Sequence, residues 1–262
     1  MEAAIMKMNY PIEAFALAMI MFSSNIQDAL IYGIIILFIT TLGLLINECL
    51  EGVIPKWSRV LSVIILILAI DYSVFRLVSL FVFGSSPDLQ TTFLQIVIGG
   101  LILKHILLEN KTVDYDRLLY EGAGAYASLF IISLLREFLS NGAMNGVEIA
   151  NFGFMARNFQ SVAIALLFAA IAFAILNRIY HYENTKPEGI FVVLPVLIVS
   201  RPFTFIEMNE ILSSIIGIAV AILCFLSIRQ TLVFSRLSKE WKRLPIELLS
   251  TSFIYMILAS FQ

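Results

Sequence analysis

Charged residues are scarce in this sequence. Only 14% of its 262 residues are Asp, Glu, Lys or Arg, whereas 60% are hydrophobic. A soluble domain has about 25% charged and about 45–50% apolar residues, so this composition excludes an ordinary soluble protein. The mean hydropathy is +0.94. These values indicate an integral membrane protein, with residues 1–262 forming a single membrane domain.

Cysteine and histidine are also rare, and the usual site motifs are missing. The chain has two cysteines, Cys49 and Cys224, and two histidines. Both cysteines lie in or at the end of apolar segments, where a small buried hydrophobic side chain is the expected role. No CxxC, HExxH, GxGxxG or Walker motif occurs. We therefore predict no cofactor and no metal held by this chain, and assign no catalytic residue.

Two further absences narrow the class of protein. The basic residues do not form a patch with interleaved aromatic residues, so nucleic-acid binding is not expected. The N-terminal residues, MEAAIMKMNY, lack the pattern of a cleavable signal peptide, so the first apolar segment is expected to stay in the protein.

Nine apolar segments are present, and they predict an all-α polytopic membrane protein with about nine transmembrane segments. Their bounds are about 10–24, 26–49, 57–83, 90–108, 118–146, 157–179, 189–203, 207–229 and 246–261. A crossing of the bilayer core needs about 20 helical residues, so the first, fourth and seventh segments are short.

The spacing of these short segments predicts a threefold repeat. One short segment and two longer ones form each unit, giving units at about 10–85, 88–180 and 187–262. Because each unit has three helices, successive units are inverted in the membrane. Inverted repeats whose first helix is short or broken are one way to build a binding site near the bilayer midplane.

The distribution of lysine and arginine predicts the orientation of the chain. When alternate connections are assigned to two faces, 4 of the 17 basic residues fall on one face, and the other 13 fall on the opposite face. The four are Arg76, Arg136, Arg157 and Arg201. By the positive-inside rule, the N-terminus is cytoplasmic and, after nine crossings, the C-terminus is outside. The expected location is the cell's inner (cytoplasmic) membrane.

The fifth segment has small residues at its start and a polar pair near its end. Gly122, Gly124 and Ala127 are expected to lie on roughly one side, where small residues let another helix approach closely. Asn141 and Gly142 are expected to end this helix, since glycine tolerates the left-handed conformation found there.

Two charged residues lie within the third segment, Asp71 and Arg76. A charge at that depth costs about 2.5 kcal/mol or more, and a spacing of five residues does not make them good helical partners. In one interpretation, Arg76 extends to the outer face and Asp71 bonds a neighbouring helix. In the other, they belong to a polar relay or an ion path.

Four more candidate polar residues lie near predicted segment ends: Asp28, His105, Arg136 and Glu137. Asp28 suits the first turn of a helix because of the helix dipole. Adjacent residues point about 100° apart, so Arg136 and Glu137 are not expected to share one partner face, and an interfacial helix end explains them. His105 is expected to be a hydrogen-bonded structural residue, with metal ligation as the alternative.

Two stretches resemble a known membrane-protein family. In 27–57 the similar residues are the polar residue before Ala29-Leu30, then Gly33, Phe38, Thr40 or Thr41, and Ile54-Pro55. In the fifth segment they are Leu119, Gly122, Gly124 and the run Arg136-Glu137-Phe138-Leu139-x-Asn141-Gly142. These stretches resemble the paired membrane subunits of Rnf-type and Nqr-type complexes, over about residues 10–180.

The resemblance implies a place in an ion-translocating oxidoreductase. In that family, paired homologous six-helix subunits have half-helices from opposite sides of the membrane, and cysteines on them hold an iron–sulfur cluster. The ligand cysteines are expected in the first and fourth segments, which contain none here. One histidine in this region, His105, cannot replace them. The third unit, 187–262, is additional to the six-helix pattern.

Two functions follow from these observations. The first is an integral membrane subunit of an Rnf/Nqr-like ion-translocating electron-transport complex, without an iron–sulfur cluster of its own. Its partners would be other membrane subunits, including a homologous one. The alternative is an autonomous secondary transporter, with its site at helix breaks near 23–28, 99–100 and 195–202. Enzymatic activity of the chain itself stays open.

Overall fold

Helices make up most of the structure. The computed structural model describes residues 10–84, 86–109, 114–150, 153, 155–180, 189–200, 210–231 and 238–259. Nine α-helices lie in these ranges: α1 (Ile12–Met21), α2 (Ile26–Leu50), α3 (Lys56–Phe81), α4 (Leu89–Lys104), α5 (Tyr115–Asn141), α6 (Val162–Tyr180), α7 (Ile190–Ser200), α8 (Glu210–Thr231) and α9 (Leu244–Ala259). The prediction of an all-α protein is confirmed.

Four short elements connect these helices. They are a π-helical turn (His105–Glu109) that continues α4, two 3-10 turns (Arg157–Gln160 and Lys239–Trp241), and a small hairpin. In the hairpin, β1 (Ala143–Met144) pairs antiparallel with β2 (Val147–Glu148).

Five helices in the described part of the chain are long and apolar enough to cross a membrane. They are Ile26–Leu50, Trp57–Phe81, Leu89–Leu108, Tyr115–Asn141 and Val162–Tyr180. Their lengths match the hydrocarbon thickness of a bilayer, which indicates a membrane-embedded protein. As predicted, α1 and α7 are short, with 10 and 11 residues. The expectation of a short fourth segment is wrong, because α4 and its π-helical turn together form an apolar helix of 20 residues.

The predicted breaks at Gly99-Gly100 and Pro195 are also wrong. Helix α4 continues through both glycines, and Pro195 lies inside α7. At Gly99 the missing side chain makes room for a neighbouring helix rather than interrupting its own. Pro195 removes one backbone donor from α7, and the helix continues on both sides of it. Pro202 lies outside the described residues.

Several helix ends are determined by local residues. The side chain of Asn25 accepts a hydrogen bond from Gln27 N at 2.9 Å and caps α2, and Asp88 caps α4 through Thr91 N at 3.0 Å. Such caps satisfy backbone donors that the helix leaves free. Gly142 ends α5 in the left-handed conformation, with φ of 67°, as expected.

The short helix α1 lies at the centre of the bundle. All its residues from Ile12 to Ile20 are buried, and it contacts α2, α4, α5, α6 and α7. A helix that is apolar on every face is stable only when it is surrounded. Helices α1, α4 and α7, which begin the three predicted units, also contact one another. The inverted orientation of the units stays a prediction.

Small residues let α5 approach two different helices. A Cβ atom on Gly122 would lie 2.5 Å from Leu37 Cδ2 on α2, whereas Gly124 packs against the Tyr180 ring on α6. The prediction that Gly122, Gly124 and Ala127 share one side is wrong, because residues two apart on a helix point about 200° apart. Ala127 is exposed.

Cys49 is exposed in the last turn of α2, so its expected burial is wrong. Neighbouring Glu48 is exposed as well, and it accepts a hydrogen bond from the Tyr115 hydroxyl at 2.7 Å. Cys224 lies in α8.

Candidate functional site

Asp71 is a buried carboxyl group in the middle of a long apolar helix. Its side chain is 1% exposed, and it packs against Gly99 of α4. No hydrogen-bond donor among the described residues reaches its Oδ1 atom. Asp71 lies ten residues from the last residue of α3, about 15 Å at 1.5 Å per residue, which is half the thickness of a bilayer core.

A cavity of ≈ 380 Å³ opens between the α1–α2 turn and the ends of α3 and α4. Polar and aromatic side chains line it: Phe22, Asp28, Tyr32, Ser79, Phe83, Ser86, Asp88 and Thr91, together with Pro87. The cavity is therefore polar, and two of its lining residues are acidic.

Three helices direct their polar side chains along a common interface. On α3, Ser79 lines the cavity and Asp71 lies two turns deeper, about 12 Å along the helix. On α4, Thr91 lines the cavity and Gly99, against Asp71, is again two turns deeper. Residues four apart lie on one face of a helix, so Thr91, Gln95 and Gly99 share one face of α4. On α3, the buried Phe75 lies between Ser79 and Asp71 on that face.

Tyr32 and Gln95 occupy the level between the cavity and Asp71. Both are buried, and Gln95 Nε2 donates to the Tyr32 hydroxyl at 3.0 Å. The Tyr32 ring stacks on Phe22 at 3.7 Å between centroids and lies 5.5 Å from Phe75. Aromatic packing on both sides restricts the ring of Tyr32, which lines the cavity.

Asp88 gives the cavity rim a negative charge. Hydrogen bonds from the side chain and backbone of Thr91 hold the pKa of Asp88 below its ordinary value, so it is ionised at neutral pH. Asp28 also lines the cavity. A cavity with acidic side chains attracts cations from the adjacent solution.

Asp28 does not cap α2, and Asn25 does so instead. The expected helix-dipole role of Asp28 is compatible with its place in the first turn. Its contribution to the cavity could not be predicted, because Ser79 and Thr91 come from other helices.

Arg136 is fully buried and holds two connecting segments together. Its Nη1 atom donates to Ser23 Oγ at 2.5 Å, in the turn between α1 and α2. Its Nε and Nη2 atoms donate to carbonyl oxygens of Phe159 at 3.1 Å, Gln160 at 2.7 Å and Ser161 at 3.3 Å. These four acceptors carry no full charge, so Arg136 brings a positive charge to the end of α1.

Glu137 binds the same α1–α2 turn from a different side. One carboxylate oxygen accepts from Ile26 N at 3.1 Å and the other from Asn145 N at 2.7 Å. Arg136 and Glu137 share none of these hydrogen-bond partners, which agrees with the expectation for adjacent helical residues. The turn passes across the end of α5, and both side chains are long enough to reach it.

A second buried charged cluster lies at the opposite end of α1. Lys104 Nζ is 2.6 and 2.9 Å from the two carboxylate oxygens of Glu13, and it lies 4.1 Å from the centre of the Phe191 ring. This cluster joins α1, α4 and α7. Sequence reasoning missed Glu13, although a single acidic residue in a short apolar segment was the available signal.

Arg76 and His105 are the two remaining candidate residues. Arg76 is exposed on α3, which agrees with the first of its two interpretations, and no ion pair in the described structure joins it to Asp71. His105 is buried at the start of the π-helical turn. Within the described residues, no group of three or more His, Cys, Asp or Glu side chains could hold a metal ion.

No protein-family model, curated protein or solved structure matches this chain. The functional argument therefore depends on the residues and contacts described above.

Proposed function

We propose that this chain is a membrane subunit of an ion-translocating electron-transport complex of the Rnf/Nqr type, without an iron–sulfur cluster of its own. Its place would be the cytoplasmic membrane, with a cytoplasmic N-terminus and an external C-terminus. Its partners would be other membrane subunits of the complex, including a homologous one. Its role would be to line the path of the moving charge.

The observation that carries this proposal is the short buried helix α1 between two buried charged clusters. Glu13 with Lys104 lies at one end of α1, and Ser23 with Arg136 lies at the other. Ten residues separate Glu13 from Ser23, about 15 Å of helix, whereas a bilayer core is about 30 Å thick. The apolar layer between these two polar clusters is therefore about half as thick as a bilayer core.

A thin apolar barrier suits the transfer of charge. Short helices are tolerated at membrane depth only inside protein or around a cavity, and transporters use them to form sites near the midplane. A subunit that served only as a scaffold would not need buried charges at both ends of its central helix. Burying those charges is costly, which makes them functional candidates by default.

The residues that carry the family resemblance are also those that hold α1 in place. Arg136 and Glu137 both bind the turn between α1 and α2. The arginine-glutamate element would therefore position the short helix here. The absence of cysteine from the first and fourth segments supports a role without a cluster.

Gentle affinity purification from native membranes, followed by mass spectrometry, tests this proposal. We expect flavin-bearing and iron–sulfur-bearing subunits to copurify in a fixed ratio. An Arg136→Met chain, in which the α1–α2 turn loses its support, should lose these partners, whereas Arg76→Met should retain them. A wild-type chain that purifies alone would refute the proposal.

The cavity favours a second candidate, an autonomous secondary transporter. It opens beside the α1–α2 turn, close to one of the positions where the sequence predicts a transport site. Solute uptake by the purified chain alone, reconstituted in liposomes, would support this function. Asp28→Asn should reduce such uptake, whereas Asp116→Asn, on the exposed first turn of α5, should not.

A further inference from the structure

We propose that Asp71 is a proton-binding site, reached from the cavity between α2, α3 and α4. This inference deepens the proposed function, because it names the ion that the membrane path would carry at this point. It rests on the burial of the carboxyl group, its missing donor and the polar route that leads to it.

A purely structural role does not explain Asp71. A structural buried carboxyl group is normally hydrogen-bonded or paired with a cation, since an unpaired one is costly. Asp71 has no donor at Oδ1 among the described residues. The carboxyl group packs against Gly99, which offers no side chain. A buried carboxyl group whose Oδ1 atom has no donor among the described residues can have its charge cancelled by a proton.

Among the described side chains of α2, α3 and α4, no charged group would take the place of that proton. Helix α3 packs against α2 and α4. The titratable groups of these two helices are Asp28, Tyr32, Glu48, Cys49 and Lys104, and the only cation among them, Lys104, is paired with Glu13 at the other end of α1. On α3 itself, Arg76 is exposed and Arg59 is paired with Glu51 near the helix start.

The number of oxygen atoms favours a proton over a metal cation. Hard metal cations take about six or more oxygen ligands in proteins. Around Asp71 the neighbouring backbone belongs to the continuous helix α4, whose carbonyl groups are used in its own hydrogen bonds. A single carboxylate oxygen is sufficient to bind one proton, whereas it is insufficient to replace the hydration shell of a metal ion.

Polar residues on α2 and α4 provide the route. Acidic Asp88 and Asp28 line the cavity, and Tyr32 with Gln95 lies one turn below its polar lining on α2 and α4. Because Gln95 donates to the Tyr32 hydroxyl, the hydroxyl proton itself is free to be donated. In the proposed step, a hydronium ion in the cavity breaks one of its O–H bonds and remains as water, while its proton forms an O–H bond at Oδ1 of Asp71 and cancels the carboxylate charge. Release reverses this step.

Infrared difference spectroscopy on the purified full-length chain tests the proposal without any partner subunit. We expect the wild type to show the C=O stretching band of a protonated, buried carboxylic acid, which disappears as the pH is raised and shifts in heavy water. Asp71→Asn and Asp71→Ser should both lack the band. The serine variant removes the carboxyl group with a smaller side chain. The matched control Asp116→Asn should retain it.

Three other outcomes would overturn the assignment of Asp71 as a proton-binding site. A spectrum unchanged by both Asp71 variants would show that the group is not protonated. A band that responds neither to pH nor to heavy water would show a sealed structural group. Loss of the band on adding sodium or potassium at constant pH would show a metal-cation site. These results are independent of whether redox subunits copurify, so failure here leaves the test of the proposed function intact.

The route has its own readout in the same experiment. Gln95→Leu removes the donor to Tyr32, and it should slow the heavy-water shift of the Asp71 band several-fold without removing the band. Exchange at the wild-type rate in this variant would refute the path through Tyr32 and Gln95.

Discussion

Replacing Gly99 with alanine tests the contact on which the candidate site depends. Gly99 and Gly100 are adjacent in the interior of α4, but their surroundings differ. A Cβ atom on Gly99 would lie 2.5 Å from Cγ of Asp71, whereas a Cβ atom on Gly100 would meet no atom within 4 Å. Gly100→Ala is therefore a matched control for Gly99→Ala.

The two substitutions share one energetic effect and differ in another. Alanine in place of glycine inside a helix stabilises it by about 0.5–1 kcal/mol, and both variants gain this. An added methyl group in a packed interior costs about 1–3 kcal/mol, and only Gly99→Ala has this cost. We therefore expect Gly99→Ala to be less stable than Gly100→Ala by about 1–3 kcal/mol.

Thermal unfolding of the full-length chain in detergent measures this difference. Each kcal/mol corresponds to about 2–4 °C in Tm for domains approaching this size. Gly100→Ala should unfold at or above the wild-type temperature, and Gly99→Ala below it. If the two variants had equal stability, or if Gly99→Ala were the more stable, the close approach of Asp71 to α4 would be refuted.

Three further predictions concern contacts elsewhere in the bundle, and each uses the free energy of unfolding. Arg136→Met should destabilise the protein by about 3 kcal/mol or more, since each acceptor left without its donor costs about 1–3 kcal/mol. Arg76→Met, at an exposed position, should cost at most about 0.5 kcal/mol. Similar losses of stability in the two variants would contradict the role of Arg136. Glu13→Gln and Lys104→Met should couple by about 0.5–3 kcal/mol in a double-mutant cycle, whereas additive effects would argue against their ion pair. Asp88→Ala should cost about 1 kcal/mol by removing the cap of α4. The pKa of Asp88 is lowered in the folded protein from its ordinary 3.8, so the stabilisation by its charge is present above that pH and lost as the pH falls through the folded-state pKa. As the pH is lowered, the free energies of unfolding of the wild type and Asp88→Ala should therefore converge. A difference that stays constant with pH would show that the charge of Asp88 is not the cause.

The errors in the sequence-based predictions have a common physical origin. The wrong assignments for Gly122, Gly124 and Gly99 all concern the direction in which a glycine faces a neighbouring helix. Amphipathic helices reveal those directions through a polar face. In a membrane bundle the helices are apolar almost all round, so the sequence carries little information about which face meets which neighbour.

The sequence by itself determined the class of protein and most helix ends. Composition alone indicated a membrane protein, because so apolar a chain has too few charges for a soluble surface. Gly142 ended a helix through a local backbone preference, and the shortness of α1 and α7 followed from the length of their apolar runs. Each of these features depends on residues within a few positions of one another.

Only the tertiary structure decided which polar residues meet. Glu13 pairs with Lys104, 91 positions away, and Arg136 binds Ser23, 113 positions away. Asp71 acquired its significance from Gly99 on the next helix and from a cavity built by three helices. These contacts depend on the rotation and depth of whole helices, which packing of small residues determines in a membrane and local sequence patterns do not.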